Sequence, residues 1–142
     1  MKLNNYFELE EFVNPETFRT HKELSIRFLD PRIIDIATAY REYFKVPVIV
    51  NTWHVGGDLS NRGLRSLNST VGARLSQHKF GRAFDCHLQG LKTEDVYNEI
   101  IKEYEHFKQF GLTTLEDINF TPTWIHSDCR WTNSNQLLIV KP

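Results

Sequence analysis

Residues 76–88 read SQHKFGRAFDCHL and predict a turn followed by a strand. Gly81 is a residue that can take a tight turn or let a ligand come close. After it, the side chains would alternate between the two faces of a strand over residues 82–88. Polar groups would share one face and apolar groups the other, with Asp85 and His87 opposite Phe84, Cys86 and Leu88. Such a strand packs its apolar face against a core and leaves the polar side chains of the other face available for a functional site.

The flanking segments predict helices before this strand and further strands after it. Pro31–Phe44 has Asp30 at the N-cap, Pro at the first helical position and apolar residues at three- and four-residue steps. A second helix, capped by Thr93, is expected to run to about residue 110, where Gly111 would end it. Further strands are predicted over residues 46–50, 113–115, 123–130 and 136–140, the last two forming a hairpin. This order predicts an α+β fold in a single domain, residues 1–142, with an antiparallel sheet packed by helices.

The composition argues against several classes of protein. The chain has 142 residues with 17 Lys+Arg and 18 Asp+Glu, and this balance disfavours nucleic-acid binding through phosphate neutralisation. No apolar run approaches the roughly 18 residues of a membrane span, and the opening MKLNNYFELEE lacks a signal-peptide pattern. We therefore expect cytoplasmic synthesis, no membrane insertion and a monomer. Cys86 and Cys129 are expected to be reduced and to point into the core.

Two segments carry residues typical of a metal site. His78 lies near the end of a long polar stretch, residues 51–79, and long stretches of this kind are usually functional. Asp85 follows on the adjacent strand, and WIHSD places His126 inside a later strand. Two imidazoles and one carboxylate are the three ligands of an open catalytic zinc site, which keeps a fourth position free. The pattern therefore predicts one Zn²⁺ ion and hydrolysis of an amide.

The same two segments resemble the M15 zinc peptidases, which include D-alanyl-D-alanine carboxypeptidases and murein endopeptidases. The motif S-x-H-x-x-G-x-A-x-D occurs here as Ser76, His78, Gly81, Ala83 and Asp85. The likeness extends to FELEEFVNP, VPVIVNTWH and RGLRS, and so covers most of the chain. It implies His78, Asp85 and His126 as zinc ligands, the fold that this family shares with hedgehog domains, and peptidoglycan stem peptides as substrates. The resemblance is especially to the small phage and prophage members.

The resemblance also implies an arginine upstream of the first ligand. It would hold substrate charge or polarise the scissile carbonyl, because a guanidinium offers a planar, permanently charged fork. Arg65 is the first choice within RGLRS, and Arg62 is the alternative.

The general base departs from the family pattern. Relatives carry Glu three residues, or His two residues, before the last ligand, and Thr123 and Trp124 occupy those positions here. Three other groups are candidates, in the order Asp128, Glu116 and His87. Asp128 is an equally good candidate for a carboxylate that orients a histidine ligand.

Further residues are expected to contact the substrate, namely Ser76, Trp124, His87 and Trp53. The leading hypothesis is a carboxypeptidase or endopeptidase of endolysin type that acts on the cell wall after release or as a phage component. The alternatives are a hydrolytically inactive, zinc-containing module that binds wall peptide or a partner protein, and a structural component of a virion.

Overall fold

The computed structural model describes residues 1–142 and contains four α-helices and five strands. The helices are α1 (Pro15–His21), α2 (Pro31–Phe44), α3 (Thr93–Lys102) and α4 (Tyr104–Lys108). Short 3₁₀ segments lie at Leu9–Glu11, Lys22–Phe28, Trp53–Val55 and Gln77–Phe80. Helix α2 begins as predicted, since the Asp30 side chain accepts a hydrogen bond from the backbone N–H of Arg32. None of the helices has the length and apolar character needed to cross a bilayer.

The strands form one sheet in the order β1-β2-β4-β3-β5. They are β1 (Val48–Ile49), β2 (Ala83–Leu88), β3 (Thr114–Glu116), β4 (Ile125–Asp128) and β5 (Leu138–Val140). Every neighbouring pair is antiparallel except β3 and β5. A mostly antiparallel sheet accompanied by helices is compatible with the predicted α+β class.

The two faces of the central strands have different surroundings. Apolar side chains of β2 and β4 join a cluster of 24 buried residues that includes one face of α2. At the contact with α2, the Tyr40 hydroxyl lies 2.9 Å from Oγ of Ser127, and its ring packs against Phe84. Cys86 and Cys129 are free and fully buried, as predicted. The opposite face is therefore left to the polar side chains of the same two strands.

Two predicted elements differ from the structure. The helix expected over residues 93–110 is broken at Glu103 into α3 and α4, and Lys92 occupies the N-cap position in front of Thr93. The break accompanies burial of Phe107, whose ring lies 5.1 Å from the ring of Tyr40 in α2. Tertiary contacts of this kind can override the local preference for one continuous helix.

The predicted hairpin of the last two strands is wrong. β5 pairs in parallel with β3 instead of turning back onto β4. The reason is that β4 already has β2 on one edge and β3 on the other, so β5 cannot pair with β4 and instead takes the outer edge of β3.

Candidate metal centre

The pairing of β2 with β4 brings together two of the predicted ligands. Asp85 and His126 are direct cross-strand partners, so their side chains leave the same face of the sheet. His78 comes from the 3₁₀ segment Gln77–Phe80, which ends at Gly81 just before β2. Gly81 has φ +65°, and a Cβ there would lie 1.8 Å from the carbonyl oxygen of Phe28. Only glycine fits this turn, which returns the chain from His78 to Asp85.

Three donor atoms converge between these residues. His78 Nε2 lies 3.2 Å from Asp85 Oδ1 and 3.2 Å from His126 Nδ1, and the latter two atoms are 2.8 Å apart. All three side chains are buried. Ligands about 2.0–2.2 Å from a tetrahedral ion are separated by roughly 3.3–3.6 Å, so the three atoms here would move apart by a few tenths of an ångström around a metal ion. His78, Asp85 and His126 therefore form a group that could hold one.

Each imidazole has an outer nitrogen that points away from the cluster, and the hydrogen bond of this nitrogen determines where the proton of the ring lies. His78 Nδ1 is 2.8 Å from the carbonyl oxygen of Gly63, which can only accept, so Nδ1–H donates. His126 Nε2 is 3.2 Å from Oδ2 of Asp128, and it donates to that carboxylate. When the rings are neutral, the inner nitrogens, Nε2 of His78 and Nδ1 of His126, then carry lone pairs directed at the other metal-binding atoms of the cluster. This is the arrangement in which outer partners prepare histidines for metal binding.

Proton occupancy of the cluster follows from burial and from these partners. Burial lowers the pKa of His78 more than the neighbouring Asp85 raises it. For His126, burial acts in the same downward direction, but hydrogen bonds to Asp128 and Asp85 outweigh it and raise its pKa to about 9. The two imidazoles also hold the pKa of Asp85 well below its usual range, against the effect of burial. One proton on His126 is therefore what a metal ion has to displace.

The two candidate arginines have different partners. Arg65 donates from Nη2 to Oδ2 of Asp85 at 2.9 Å, and from Nε to the carbonyl oxygen of Asn61 at 2.6 Å. Arg62 instead donates from Nη1 to Nδ1 of His87 at 2.7 Å. Arg65 thus holds the carboxylate of the cluster, whereas Arg62 and His87 form a separate pair.

Asp128 lies behind His126, at the nitrogen that faces away from the other donors. It is fully buried, and Arg130 binds it through both Nε and Nη2. Hydrogen bonds from His126 and Arg130 lower the pKa of Asp128, although burial opposes them. These contacts favour the orienting role over that of a proton acceptor at the cluster.

Glu116 approaches the cluster from β3, with Oε1 3.7 Å from Nδ1 of His126. It lines a cavity of about 270 Å³ together with the three cluster residues, Arg65 and Trp124. A smaller cavity of about 130 Å³ shares Glu116 and His126 with it and includes Ser76. Glu116, Trp124 and Ser76 therefore line the cavities in which a molecule bound at the cluster would lie.

Trp53 and His87 lie apart from these two cavities. The Trp53 indole donates to the carbonyl oxygen of Val13 and packs against Phe18. His87 contacts Arg62, and both burial and that guanidinium lower the pKa of His87.

Two supporting groups had no role assigned from the sequence, Arg130 and the carbonyl oxygen of Gly63. Arg130 follows Asp128 by two residues along an extended segment, and that spacing was a usable signal. A Cβ on Gly63 would meet the backbone of Phe12 at 2.2 Å, so glycine is needed where this carbonyl reaches His78. No local sequence pattern predicts the contact between His78 and the Gly63 carbonyl.

Comparisons with protein-family models, with curated proteins and with solved structures found no match.

Proposed function

We propose that this protein is a zinc-dependent peptidase that hydrolyses an amide bond in the stem peptides of bacterial peptidoglycan. The observation that carries the proposal is the convergence of His78 Nε2, Asp85 Oδ1 and His126 Nδ1, with both outer imidazole nitrogens already engaged as donors. The resemblance of the two ligand segments to the M15 peptidases supplies the choice of zinc and of wall peptide. Carboxypeptidase or endopeptidase action of endolysin type follows from the same resemblance.

The donor set suits zinc, because two imidazoles and one carboxylate leave room for a further ligand. Such an ion would act as a Lewis acid on a carbonyl and would acidify water at neutral pH. Proton transfer and binding of the scissile carbonyl would be carried out by side chains of the protein.

Glu116 is the proposed proton acceptor. Its carboxylate lies on the cavity side of His126, whereas Asp128 lies on the opposite side of the ring and is bound by Arg130. The Glu116 side chain is 18% exposed, so it reaches both the cavity and its solvent. A proton taken at Oε1 can then be passed to the leaving amine.

Arg65 is the proposed electrophilic group. One of its Nη atoms holds Asp85, and the guanidinium lines the same cavity as the three donors. A permanently charged fork in this place can bind the scissile carbonyl or a substrate carboxylate. Trp124 provides an apolar wall of the cavity.

The test has two parts, metal content and hydrolysis. Elemental analysis of the purified chain should show one zinc per molecule, and His126→Ala should lose it. Peptidoglycan incubated with the zinc-loaded chain should release new amino groups, a chelator should stop the release, and added zinc should restore it. No zinc uptake, or release unaffected by the chelator, would contradict the proposal.

A second candidate is a metal-containing module that binds wall peptide without cutting it. Thr123 and Trp124 lack a titratable group at the two positions where M15 peptidases carry Glu or His, and this favours the alternative. Zinc-dependent binding to peptidoglycan without release of amino groups would select it.

A further inference from the structure

Two residues that line the cavities beside the candidate metal centre carry buried polar atoms without a partner in the protein. Three side-chain atoms are of this kind, His54 Nδ1, Gln77 Oε1 and Thr121 Oγ1. Thr121 lines the cavity of about 270 Å³ that contains the three donor residues and Glu116. Gln77 lines the neighbouring cavity, which shares Glu116 and His126. Two of the three unpartnered atoms thus belong to residues of the same cleft.

Thr121 combines almost complete burial with a fixed backbone. It is 1% exposed, and it lies in the connection between β3, which carries Glu116, and β4, which carries His126. Its carbonyl oxygen accepts the backbone N–H of Trp124 at 3.3 Å, so the turn that presents Thr121 also presents the apolar wall of the cavity. A buried hydroxyl without a hydrogen bond lowers stability, and a partner from outside the chain would relieve this cost at Thr121.

We propose that the Thr121 hydroxyl hydrogen-bonds the main chain of the peptide substrate next to the scissile amide. A hydroxyl both donates and accepts, which matches the N–H and C=O groups of a peptide. Arg65 and Glu116 are charged groups of the same cavity, whereas the neutral hydroxyl of Thr121 suits an uncharged amide. This inference rests on the proposed function and adds to it a substrate-binding residue that belongs to neither ligand motif.

The test compares Thr121→Val, which removes the hydroxyl at nearly constant volume, with Thr121→Ser, which keeps it. The probe is a synthetic stem pentapeptide ending in D-Ala-D-Ala, and the protein is the full zinc-loaded chain. Thr121→Val should raise KM about three- to tenfold with kcat within about twofold, as for loss of one hydrogen bond made equally in ground and transition states. Thr121→Ser should remain within about twofold of the wild type in both constants, and zinc content should be one per chain in all three proteins.

Thermal unfolding of the metal-free proteins supplies a readout that does not depend on catalysis. Because the hydroxyl has no partner in the chain, Thr121→Val should unfold at the wild-type temperature or above it. A lower unfolding temperature with a parallel loss of activity would show a structural role and overturn the inference. An unchanged KM would show that the hydroxyl is bound only by solvent, with the same consequence.

Failure of the proposed function can be told apart from failure of this inference. If the wild type binds the pentapeptide without cutting it, the peptidase proposal fails, and the inference is judged on the dissociation constant. Thr121→Val should then weaken binding about three- to tenfold while Thr121→Ser does not. If the wild type cuts the peptide and Thr121→Val cuts it equally well at low substrate concentration, the inference alone fails. A wild type that does not bind the pentapeptide at all overturns both.

Discussion

Asp85 and His126 face each other directly across β2 and β4, and Oδ1 of Asp85 lies 2.8 Å from Nδ1 of His126. Because side chains alternate between the faces of a strand, a shift of one residue in this register would place one of them in the apolar core. The packing of the opposite face, where Tyr40 contacts Phe84 and Ser127, therefore also fixes the geometry of the cluster. Stability of the sheet and competence to bind a metal depend on the same strand pairing.

Metal removal should destabilise the protein. Zinc that binds the folded cluster at about a thousand times its dissociation constant adds roughly 4 kcal/mol to the free energy of unfolding. For a chain of this size, that corresponds to about 10 °C in the unfolding temperature. A calorimetric scan with and without chelator measures the shift. His126→Ala should abolish the difference, whereas His106→Ala, at an exposed position, should keep it. Equal chelator sensitivity in both variants would argue against the cluster.

Metal binding should release a proton. The pKa of His126 is raised to about 9, so below that pH an incoming ion must displace the proton on Nδ1. In the metal-free protein, the stability that this raised pKa contributes is fully present below about pH 6.5 and is lost as the pH rises through about 9. The stabilisation by zinc should accordingly increase with pH up to about 9. Titration calorimetry at pH 7 in two buffers of different ionisation enthalpy counts the protons, and the expected value is about one per ion. A value near zero would mean that His126 is already neutral.

Asp128 and Glu116 should affect different steps. Asp128→Asn weakens the partner of the outer nitrogen of His126, and we expect metal affinity to fall about 10- to 100-fold. Competition with a metal-binding dye measures this. Glu116→Gln should leave metal affinity within about threefold, because Glu116 lies 3.7 Å from the nearest donor atom. If Asp128→Asn keeps full affinity, the orienting role is wrong.

Hydrolysis should depend strongly on Glu116, although metal binding does not. Glu116→Gln removes the proposed proton acceptor, so kcat should fall about 10²- to 10⁴-fold at full zinc loading. Glu42→Gln is the matched control, since Glu42 is exposed on α2. Activity is measured as the release of amino groups from peptidoglycan. Retention of more than a tenth of wild-type kcat in Glu116→Gln would assign the proton transfer to another group.

Local patterns predicted the parts of the molecule that depend on neighbours in sequence. The cap at Asp30 and the alternation around Asp85 and Cys86 are local features, and the structure contains them as predicted. The parallel partner of β5 and the break at Glu103 were not predicted, because both depend on edges and contacts supplied by distant segments. The same holds at the site. Two local motifs predicted His78, Asp85 and His126, but no local pattern predicted the Gly63 carbonyl, which positions His78.

The turn between His78 and β2 provides a test of how the site is built. Gly81→Ala would place a Cβ 1.8 Å from the Phe28 carbonyl oxygen and force a side chain into φ +65°. Gly90 has a similar φ of +79° but open space around it, so Gly90→Ala carries the conformational strain alone. We expect Gly90→Ala to cost about 1 kcal/mol in the free energy of unfolding and Gly81→Ala to cost about 3 kcal/mol or more, because the backbone of two segments must also shift. Urea unfolding of both metal-free variants measures the two values. Equal losses would show that the Phe28 segment moves freely, and His78 would then not be held in place by this turn.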